Sequence, residues 1–340
     1  MTRPRDVTVV IPAHGYPGPL RALLAALSDQ GDPARPLPVV VVDDASVPPV
    51  VLDGCDHRGL ALEVVRRTTN GGPGAARNTG LEHVATRWVA FIDADELPGP
   101  GWVARLDAIV QRIDGPDGVE GPVELPDTGP ATPFTHLTEF ASGGERHLGG
   151  NVVYRAERLR AIGGYDERYY DPRRKLHFRE DTDLHFRLDA AALTIEFDPE
   201  LVISHPAHPA SFSTPMRLAR RYYFDPLLSR EHPDAFRAFN AGHRIGPLTL
   251  RQARHDAALL FAGGLTVTVA GLVTRRPAVT GTGAAVTLAG WAANVVALAW
   301  RREVRPRDAA PLAVAAAATP LVYLWHHTRG VIAFGHRPRY

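Results

Sequence analysis

Short apolar runs recur through the first hundred residues, two of them ending beside carboxylates, and they constrain the fold more than any other feature. The runs are Val7–Ile11, Pro38–Val42, Leu62–Val65 and Trp88–Ile92. Two segments with helical spacing, Leu20–Leu27 and Gly74–Val84, lie between them. Alternating short apolar runs and helix-length segments indicate βαβ units. The sequence therefore predicts an α/β fold with a mainly parallel, Rossmann-like sheet and helices on both faces.

Acidic residues follow the predicted strands at the end where parallel sheets bind ligands. Asp43 and Asp44 follow the second run, Asp93 and Asp95 follow the fourth, and a later cluster begins at Glu180. Asp93 and Asp95 are two residues apart, so in extended backbone they point to the same side. Such carboxylates repel unless a cation lies between them, and Mg²⁺ or Mn²⁺ with oxygen ligands fits that arrangement. The alternative is that this three-residue pattern occurs by chance.

A glycine-rich segment, Asn70–Gly80, lies between the first two acidic clusters. Glycines at a helix start allow a ligand close to the backbone, and free N–H groups there favour phosphate. Arg77 could add a charge-assisted hydrogen bond. The alternative is an ordinary turn and helix start with a solvated arginine. The segment matches neither the P-loop nor the dinucleotide-binding spacing.

The overall charge argues against nucleic acid as a partner, because 38 Lys and Arg residues balance 37 Asp and Glu residues. A hydrophobic content of 45% is typical of a globular chain with a substantial core. Cys55 is the single cysteine, so the chain closes no internal disulfide and builds no cysteine metal site.

The ordered set of motifs resembles the family 2 glycosyltransferases, an inverting group with the GT-A fold. The matching segments are Val9–Ala13, Val42–Ser46, Asn70–Gly80, Phe91–Glu96, Gly149–Asn151, Gly163–Glu167 and Phe178–Leu184. Together they cover roughly residues 7–205. The sequence departs from the family at His14-Gly15, where members often carry Tyr-Asn. In the family this loop lies near the nucleotide base, so the departure bears on base specificity.

The resemblance implies a role for each matched position. Asp181 would be the general base, with Glu180 beside it. Mg²⁺ or Mn²⁺ would bind at Asp93, Asp95 and His205. A nucleotide-diphosphate sugar would bind at Pro12, Ala13, Asp43, Asp44, Gly72, Arg77 and Asp93. The chain is thus predicted to be a hexosyltransferase-type enzyme that transfers sugar to a hydroxyl acceptor, either a lipid-linked or a cell-envelope glycan.

Structural alternatives remain for several of these residues. Asp181 or Asp183 could cap a helix over Leu184–Ala192, since Asp is a favoured N-cap, and His205 could be an ordinary core or surface histidine. Two other functions stay open, a catalytically silent membrane assembly subunit and a nucleotidyltransferase. The latter would need a glycine-rich basic loop after the first strand, which Pro12–Gly15 does not supply.

Three uncharged stretches follow residue 256. Ala257–Thr274 has 18 residues, Pro277–Trp300 has 24 and Ala309–Trp325 has 17, with two prolines in the last. A helix needs about 20 apolar residues to cross a bilayer, so these stretches predict two to three transmembrane or membrane-associated helices. The alternative is a set of buried helices in a soluble domain.

Arginines on either side of the first two stretches predict how they are oriented. One group precedes the first stretch and another follows the second; these are Arg244, Arg251, Arg254, Arg301, Arg302, Arg305 and Arg307. The positive-inside rule puts both groups in the cytoplasm, with the two stretches forming a hairpin. The prediction is a cell-membrane protein with a cytoplasmic catalytic domain over residues 1–212, an amphipathic connector over 213–256 and apolar helices over 257–340.

Overall fold

The computed structural model of the 340-residue chain describes residues 5–15, 17–52, 57–112, 115–125, 130–136, 150–205, 210–240, 243–245, 248–250 and 253–339. Cys55 and Gly149 lie outside these ranges. The chain divides into two compact units. The N-terminal unit contains Met1–Asp127 and Thr138–Ala207, and the C-terminal unit contains Thr128–Leu137 and His208–Tyr340.

The described part of the N-terminal unit contains twelve strands and five α-helices. The strands are β1 (Val7–Ala13), β2 (Leu37–Asp43), β3 (Leu60–Arg66), β4 (Trp88–Phe91), β5 (Leu97–Pro98), β6 (Gly118–Glu120), β7 (Val123–Glu124), β8 (Val152–Arg155), β9 (Tyr170–Asp171), β10 (Leu176–His177), β11 (Ile195–Phe197) and β12 (Ile203–Ser204). The helices are α1 (Pro17–Asp29), α2 (Gly72–Glu82), α3 (Trp102–Val110), α4 (Ala156–Ala161) and α5 (Glu180–Ala190), and a 3₁₀ turn spans Glu167–Tyr169.

Seven strands form the central sheet in the order β11-β6-β8-β4-β1-β2-β3. The β1–β2, β2–β3, β1–β4 and β6–β11 pairs are parallel, whereas β8 runs antiparallel to both β4 and β6. A second sheet has the order β5-β12-β7, and β9 pairs with β10 in a hairpin. The predicted α/β class with a mainly parallel sheet is confirmed.

Both faces of the central sheet are covered, which explains why its strands are almost continuously apolar. Every residue of β1 is buried, and a strand with buried residues on both sides needs no polar alternation. Gly80 of α2 lies directly on the sheet, where a Cβ atom would overlap the side chain of Val10. This close contact seats α2 beside β1 and β2, the two strands whose ends carry the first predicted site residues.

The C-terminal unit is mainly helical in the residues described. Its helices are α6 (Thr214–Arg220), α7 (Asp225–Glu231), α8 (Pro233–Phe239), α9 (Ala253–Val273), α10 (Pro277–Ala299) and α11 (Ala309–Phe334). Strands β13 (His243–Ile245) and β14 (Leu248–Leu250) form a hairpin, and 3₁₀ turns span Arg221–Phe224 and Pro306–Asp308. By length and composition, α9, α10 and α11 are each apolar enough to cross a membrane. The predicted C-terminal apolar helices are thus present.

Small residues let α9 and α10 approach closely. A Cβ atom at Gly264 would overlap Thr287, and one at Gly283 would overlap Thr268. The same holds farther along the pair for Gly271 against Thr280. Close approach of backbones at small residues is how helices associate where no hydrophobic effect drives them together.

The third apolar helix is longer than its uncharged stretch. α11 has 26 residues and continues through His326, His327 and Arg329 to Phe334. The sequence estimate of 17 residues counted only the uncharged part. A helix continues past polar residues where tertiary packing supports it, and the end of α11 packs on the segment from α6 to α7.

Candidate active site

Three parallel strands bring the first predicted site residues to one edge of the sheet. β1 pairs with β2 so that Ala13 lies opposite Asp43, and β1 pairs with β4 so that Val10 lies opposite Phe91. Asp93 lies two residues beyond the end of β4. The carboxyl ends of these strands therefore meet, as the prediction requires.

Asp43 is buried at the end of β2 and organises the loop that follows. Its Oδ1 accepts a hydrogen bond from the Ser46 N–H at 2.8 Å, and its Oδ2 accepts one from the Val50 N–H at 3.1 Å. Arg66 at the end of β3 forms an ion pair with the same carboxylate. Burial alone would raise the pKa of Asp43, but these hydrogen bonds lower it below its ordinary value. Asp43 is thus held ionised and shapes the loop over residues 44–50.

Asp44 holds the glycine-rich segment in place. Its carboxylate accepts hydrogen bonds from the Gly71 N–H at 3.0 Å and the Gly72 N–H at 2.8 Å, and it pairs with Arg67 Nε at 2.8 Å. Gly72 has a φ of +81°, and a Cβ atom there would lie 2.6 Å from the ring of Tyr170. This position favours glycine for both conformation and space.

Arg77 lies beneath Asp93. Its Nη2 donates to Asp93 Oδ1 at 2.6 Å, and its guanidinium carbon lies 5.2 Å from the centre of the Tyr165 ring. The Arg77 side chain is 3% exposed, compared with 34% for Asp93. Burial alone would lower the pKa of Arg77, but the charges of Asp93 and Glu180 raise it above its ordinary value. Arg77 is therefore buried, and the Asp93 carboxylate that it orients is the partly exposed member of the pair.

Asp95 and His205 come together from distant parts of the chain. Their Oδ2 and Nε2 atoms are 3.8 Å apart, and the Asp95 and His205 side chains are 24% and 11% exposed. His205 follows β12, which pairs antiparallel with β5, the strand that follows the acidic cluster. The second sheet thus places this histidine beside Asp95.

Glu96 is a third carboxylate in this cluster, and it is buried. Its Oε2 accepts a hydrogen bond from the Asp93 N–H at 2.7 Å. Burial, then the charges of Asp93 and Asp95, raise the pKa of Glu96 well above its ordinary value. A Cβ atom at Gly150 would overlap the same carboxylate, so a glycine is needed to admit it. Through this hydrogen bond, Glu96 closes the turn that orients Asp93 and Asp95.

Helix α5 begins at Glu180 rather than at Leu184, which changes the interpretation of its acidic residues. Arg179 is the N-cap, with a φ of +78°, and Asp181 lies within the first turn. The alternative that Asp181 or Asp183 caps this helix is therefore wrong. Asp183 is buried, and it accepts hydrogen bonds from Arg187 Nε at 2.9 Å and from the Tyr169 hydroxyl at 3.4 Å. It has a structural role.

Asp181 has the electrostatic character of a base that works near neutral pH. Burial, and next the negative charge of Glu180, raise the pKa of Asp181 to about 6. Its Oδ1 accepts a hydrogen bond from the Thr182 N–H at 2.7 Å. Burial alone would also raise the pKa of Glu180, but a hydrogen bond with His177 Nδ1 at 3.2 Å helps to lower it. Two adjacent carboxylates with pKa values displaced in opposite directions are typical of an acid–base site.

The donor set of the acidic cluster fits a hard divalent ion. Among the residues that the structure describes, no group of three or more His, Cys, Asp or Glu side chains is gathered closely enough to hold a metal alone. Asp95 Oδ2 and His205 Nε2 are 3.8 Å apart, which is within the roughly 4.2 Å that two bonds of about 2.1 Å to one ion can span. Oxygens from a bound ligand would have to complete the coordination, a mode that suits Mg²⁺ and Mn²⁺.

Sequence reasoning missed two residues that organise the site, Glu96 and Tyr165. Tyr165 is 2% exposed, and its ring packs edge-on against Phe91 at 5.6 Å. Both residues lie inside quoted motifs, directly after Asp-Ala-Asp and Gly-Gly. Their positions in those motifs could have identified them, but only packing shows that they support Asp93 and Arg77.

Residues 8–122 match the family model described as Glycosyl transferase family 2. The predicted resemblance is confirmed by this match to a family 2 glycosyltransferase domain, which covers about a third of the chain. The sheet order and the family match agree with the GT-A class that the resemblance implies.

Curated relatives are named as glycosyltransferases. The pre-mycofactocin glycosyltransferase of Mycobacterium tuberculosis is 29% identical over 282 residues, which cover 76% of this chain and 51% of the relative. Glycosyltransferase AglE of Haloferax volcanii is 26% identical over 220 residues, which cover 60% of this chain and 67% of the relative. The chain thus spans about half the length of the mycobacterial protein.

Two solved structures align over most of the chain. One is S. aureus TarS 1–349, with a TM-score of 0.49 and 17% identity over 98% of this chain and 93% of that chain. The other is the mannosyltransferase PcManGT from Pyrobaculum calidifontis in complex with GDP-Man and Mn²⁺, with a TM-score of 0.49 and 19% identity over 97% and 88%.

Proposed function

We propose that this chain is an inverting, metal-dependent glycosyltransferase that moves a sugar from a nucleotide-diphosphate sugar to a hydroxyl acceptor. The observation that carries the proposal is the placement of Asp181. A carboxyl with a pKa raised to about 6 lies in the same charged cluster as Arg77, which orients Asp93. The family match over residues 8–122 supports the reaction class.

The donor would bind where β1, β2 and the start of α2 meet. Pro12 and Ala13 end β1, and the Asp44 N–H donates to the Ala13 carbonyl at 2.8 Å. Asp43 and Asp44 already accept hydrogen bonds from loop N–H groups. Asp43 and Asp44 would therefore contribute to donor binding by fixing the loop after β2 and the glycine-rich segment on either side of the nucleotide. Gly72 would contribute by letting the Tyr170 ring pack against the loop that Asp44 holds beside the donor.

The metal would bind at Asp93, Asp95 and His205. When bound, Mg²⁺ or Mn²⁺ would stabilise the negative charge that develops on the departing nucleoside diphosphate. Arg77 would fix the direction of the Asp93 carboxylate through their hydrogen bond, acting as a positioning residue.

Asp181 would act as the general base. As the acceptor oxygen attacks the anomeric carbon, the carboxylate takes the hydroxyl proton, and the bond from that carbon to the diphosphate oxygen breaks. The anomeric carbon gains a glycosidic bond to the acceptor oxygen, and the nucleoside diphosphate leaves with the electron pair of the broken bond. A single displacement from the opposite face inverts the anomeric centre.

The acceptor would be a lipid-linked or cell-envelope glycan presented at the cell membrane. Three apolar helices in the C-terminal unit support membrane attachment. The names of two relatives mention different acceptors, pre-mycofactocin in one case and poly(ribitol-phosphate) in the other. The catalytic domain, residues 1–212, would face the cytoplasm, where nucleotide sugars are made. Residues 213–256 would connect it to the helices.

The test uses the purified full-length protein in detergent with UDP-, GDP- and dTDP-sugars and Mn²⁺, and it measures the nucleoside diphosphate released. Turnover of one donor class is expected, with loss of turnover in EDTA. Asp181→Asn should lower kcat by about 10²–10⁴-fold while donor affinity stays unchanged. The matched control is Asp189→Asn on the same helix, because the Asp189 side chain is 49% exposed.

Three results would contradict the proposal. Full activity in EDTA would refute the metal, and equal loss of donor affinity in Asp181→Asn would mark that residue as structural. Failure to turn over or bind any donor would favour a catalytically silent membrane assembly subunit.

A further inference from the structure

We infer that only two of the three apolar helices, α9 and α10, cross the bilayer, and that α11 lies along the membrane surface at the base of their hairpin. The chain would then enter and leave the membrane on the same side. This inference rests on the membrane attachment included in the proposed function, and it adds the number of crossings and the side of the C-terminus.

The α9–α10 hairpin has the length that a bilayer requires. α9 has 21 residues and α10 has 23, which at 1.5 Å per residue gives about 31 and 34 Å. The hydrocarbon core is about 30 Å thick. The turn between the helices carries Arg275 and Arg276, both exposed, so the first charges come where the far interface would lie.

The hairpin satisfies most of its threonine and asparagine side chains internally, as the bilayer core demands. The threonine hydroxyls that donate to a backbone carbonyl of their own helix or of the turn before it belong to Thr266, Thr268, Thr274, Thr280 and Thr287. Asn294 Nδ2 donates to the Gly290 carbonyl at 2.8 Å. Large apolar side chains such as Leu272 and Leu288, both 62% exposed, lie on the outer surface instead. A surface of this kind fits lipid chains.

The second half of α11 packs on the charged segment that runs from α6 to α7. The rings of Tyr323 and Tyr222 meet edge-on at 5.0 Å, and those of Phe334 and Tyr223 lie 5.3 Å apart. Arg230 Nη1 donates to the Phe334 carbonyl at 2.8 Å. A Cβ atom at Gly330 would overlap the carbonyl oxygen of Tyr223, so the contact is close.

These contacts keep the second half of α11 out of the hydrocarbon. The segment against which it packs contains six charged residues, namely Arg217, Arg220, Arg221, Asp225, Arg230 and Glu231. If this half of α11 crossed the bilayer, that segment would have to enter it too, at a large cost in charge burial. The rest of the helix, Ala309–Val322, is only about 21 Å long at 1.5 Å per residue, too short for a core of about 30 Å.

α11 contacts the hairpin near the start of α9 and near the end of α10. Trp291 Nε1 of α10 donates to the Ala313 carbonyl at 2.9 Å, and Leu312 packs in a cluster with Val295 and Leu298. Tyr323 packs with Ala258, near the start of α9. α11 therefore bridges the entry of α9 and the exit of α10, which a two-crossing hairpin places on one side of the membrane.

A cysteine-accessibility experiment on the full-length protein in cells tests this arrangement. In a Cys55→Ser background, single cysteines replace three exposed residues, as Glu82→Cys on α2, Arg276→Cys at the hairpin turn and Arg339→Cys after α11. A membrane-impermeant maleimide is applied to intact and to permeabilised cells. We expect Arg276→Cys to be labelled at least tenfold more than the other two in intact cells, and all three to be labelled equally after permeabilisation.

The possible outcomes separate the claims. Labelling of Arg339→Cys together with Arg276→Cys, opposite to Glu82→Cys, would show that α11 crosses and would overturn the inference. All three cysteines on one side would refute the crossing hairpin. A carbonate wash of the membrane fraction tests attachment itself, and release of the protein by that wash would refute it. The labelling pattern requires no turnover, so an inactive protein would leave this test intact while refuting the proposed reaction.

Discussion

The pH dependence of transfer tests the role of Asp181 most directly. Because a general base must be ionised, and because the pKa of Asp181 is raised to about 6, activity should fall as the pH drops through 6. About 90% of this carboxyl is ionised at pH 7 and about 10% at pH 5 for a single titrating group. We therefore expect kcat/KM to fall about tenfold between these values.

The variant Glu180→Gln tests whether Asp181 causes this fall in activity at low pH, which we call the acid limb of the pH profile. The negative charge of Glu180 is the second cause of the raised pKa of Asp181, after burial. Its removal should move the midpoint of the acid limb to a lower pH while burial still holds it above 3.8, the ordinary value. The hydrogen-bonding partner of Glu180, His177, has a side chain that is 47% exposed, so its release leaves no buried charge unpaired.

The assay is initial-rate release of nucleoside diphosphate from pH 4.5 to 8.5, with circular dichroism at each pH to confirm that the protein stays folded. Asp189→Asn serves as the control, and its midpoint should match that of the wild type. If Glu180→Gln leaves the midpoint unchanged, or moves it to a higher pH, the acid limb belongs to another group and the assignment of Asp181 fails.

Three further predictions concern the metal, the glycine-rich loop and the hairpin. Asp95→Asn should raise the Mn²⁺ concentration for half-maximal turnover at least tenfold; an unchanged metal titration would exclude Asp95 as a ligand. Gly72→Ala should weaken donor binding, measured by calorimetry, and should destabilise the protein more than its control Gly101→Ala, because a Cβ atom at Gly72 would lie 2.6 Å from the half-buried Tyr170 ring. Gly101 shares the left-handed backbone but faces open space, so Gly101→Ala should cost only about 1–2 kcal/mol of stability. Gly283→Leu should destabilise the α9–α10 pair by about 1–3 kcal/mol through overpacking, seen as a lower melting temperature in detergent, while Gly281→Leu, which faces open space, should not.

Local sequence patterns determined the secondary structure around the site. The first apolar run became β1, and the glycine-rich segment became the start of α2, because β-branched runs and helix-start glycines act within a few residues of themselves. The position of Asp93 beyond a strand end followed from the same pattern. The three apolar helices followed from length and composition alone.

The sequence placed the start of α5 four residues too late, at Leu184 instead of Glu180. Four polar residues at its start, Glu180–Asp183, carry no apolar periodicity. They are helical because Asp183 is tied to Arg187 and to Tyr169, contacts that depend on the folded neighbourhood. The same reason extended α11 beyond its uncharged stretch.

Tertiary structure alone decided which charged groups meet. Asp95 and His205 are separated by more than a hundred residues, yet β5 and β12 pair and bring them to 3.8 Å. Arg77 was predicted as a ligand contact, but packing on Tyr165 buries it beneath Asp93. The pKa of Asp181 depends on burial and on a neighbouring charge. Such properties come from contacts between elements distant in sequence, and a local pattern carries no information about which distant element will cover it.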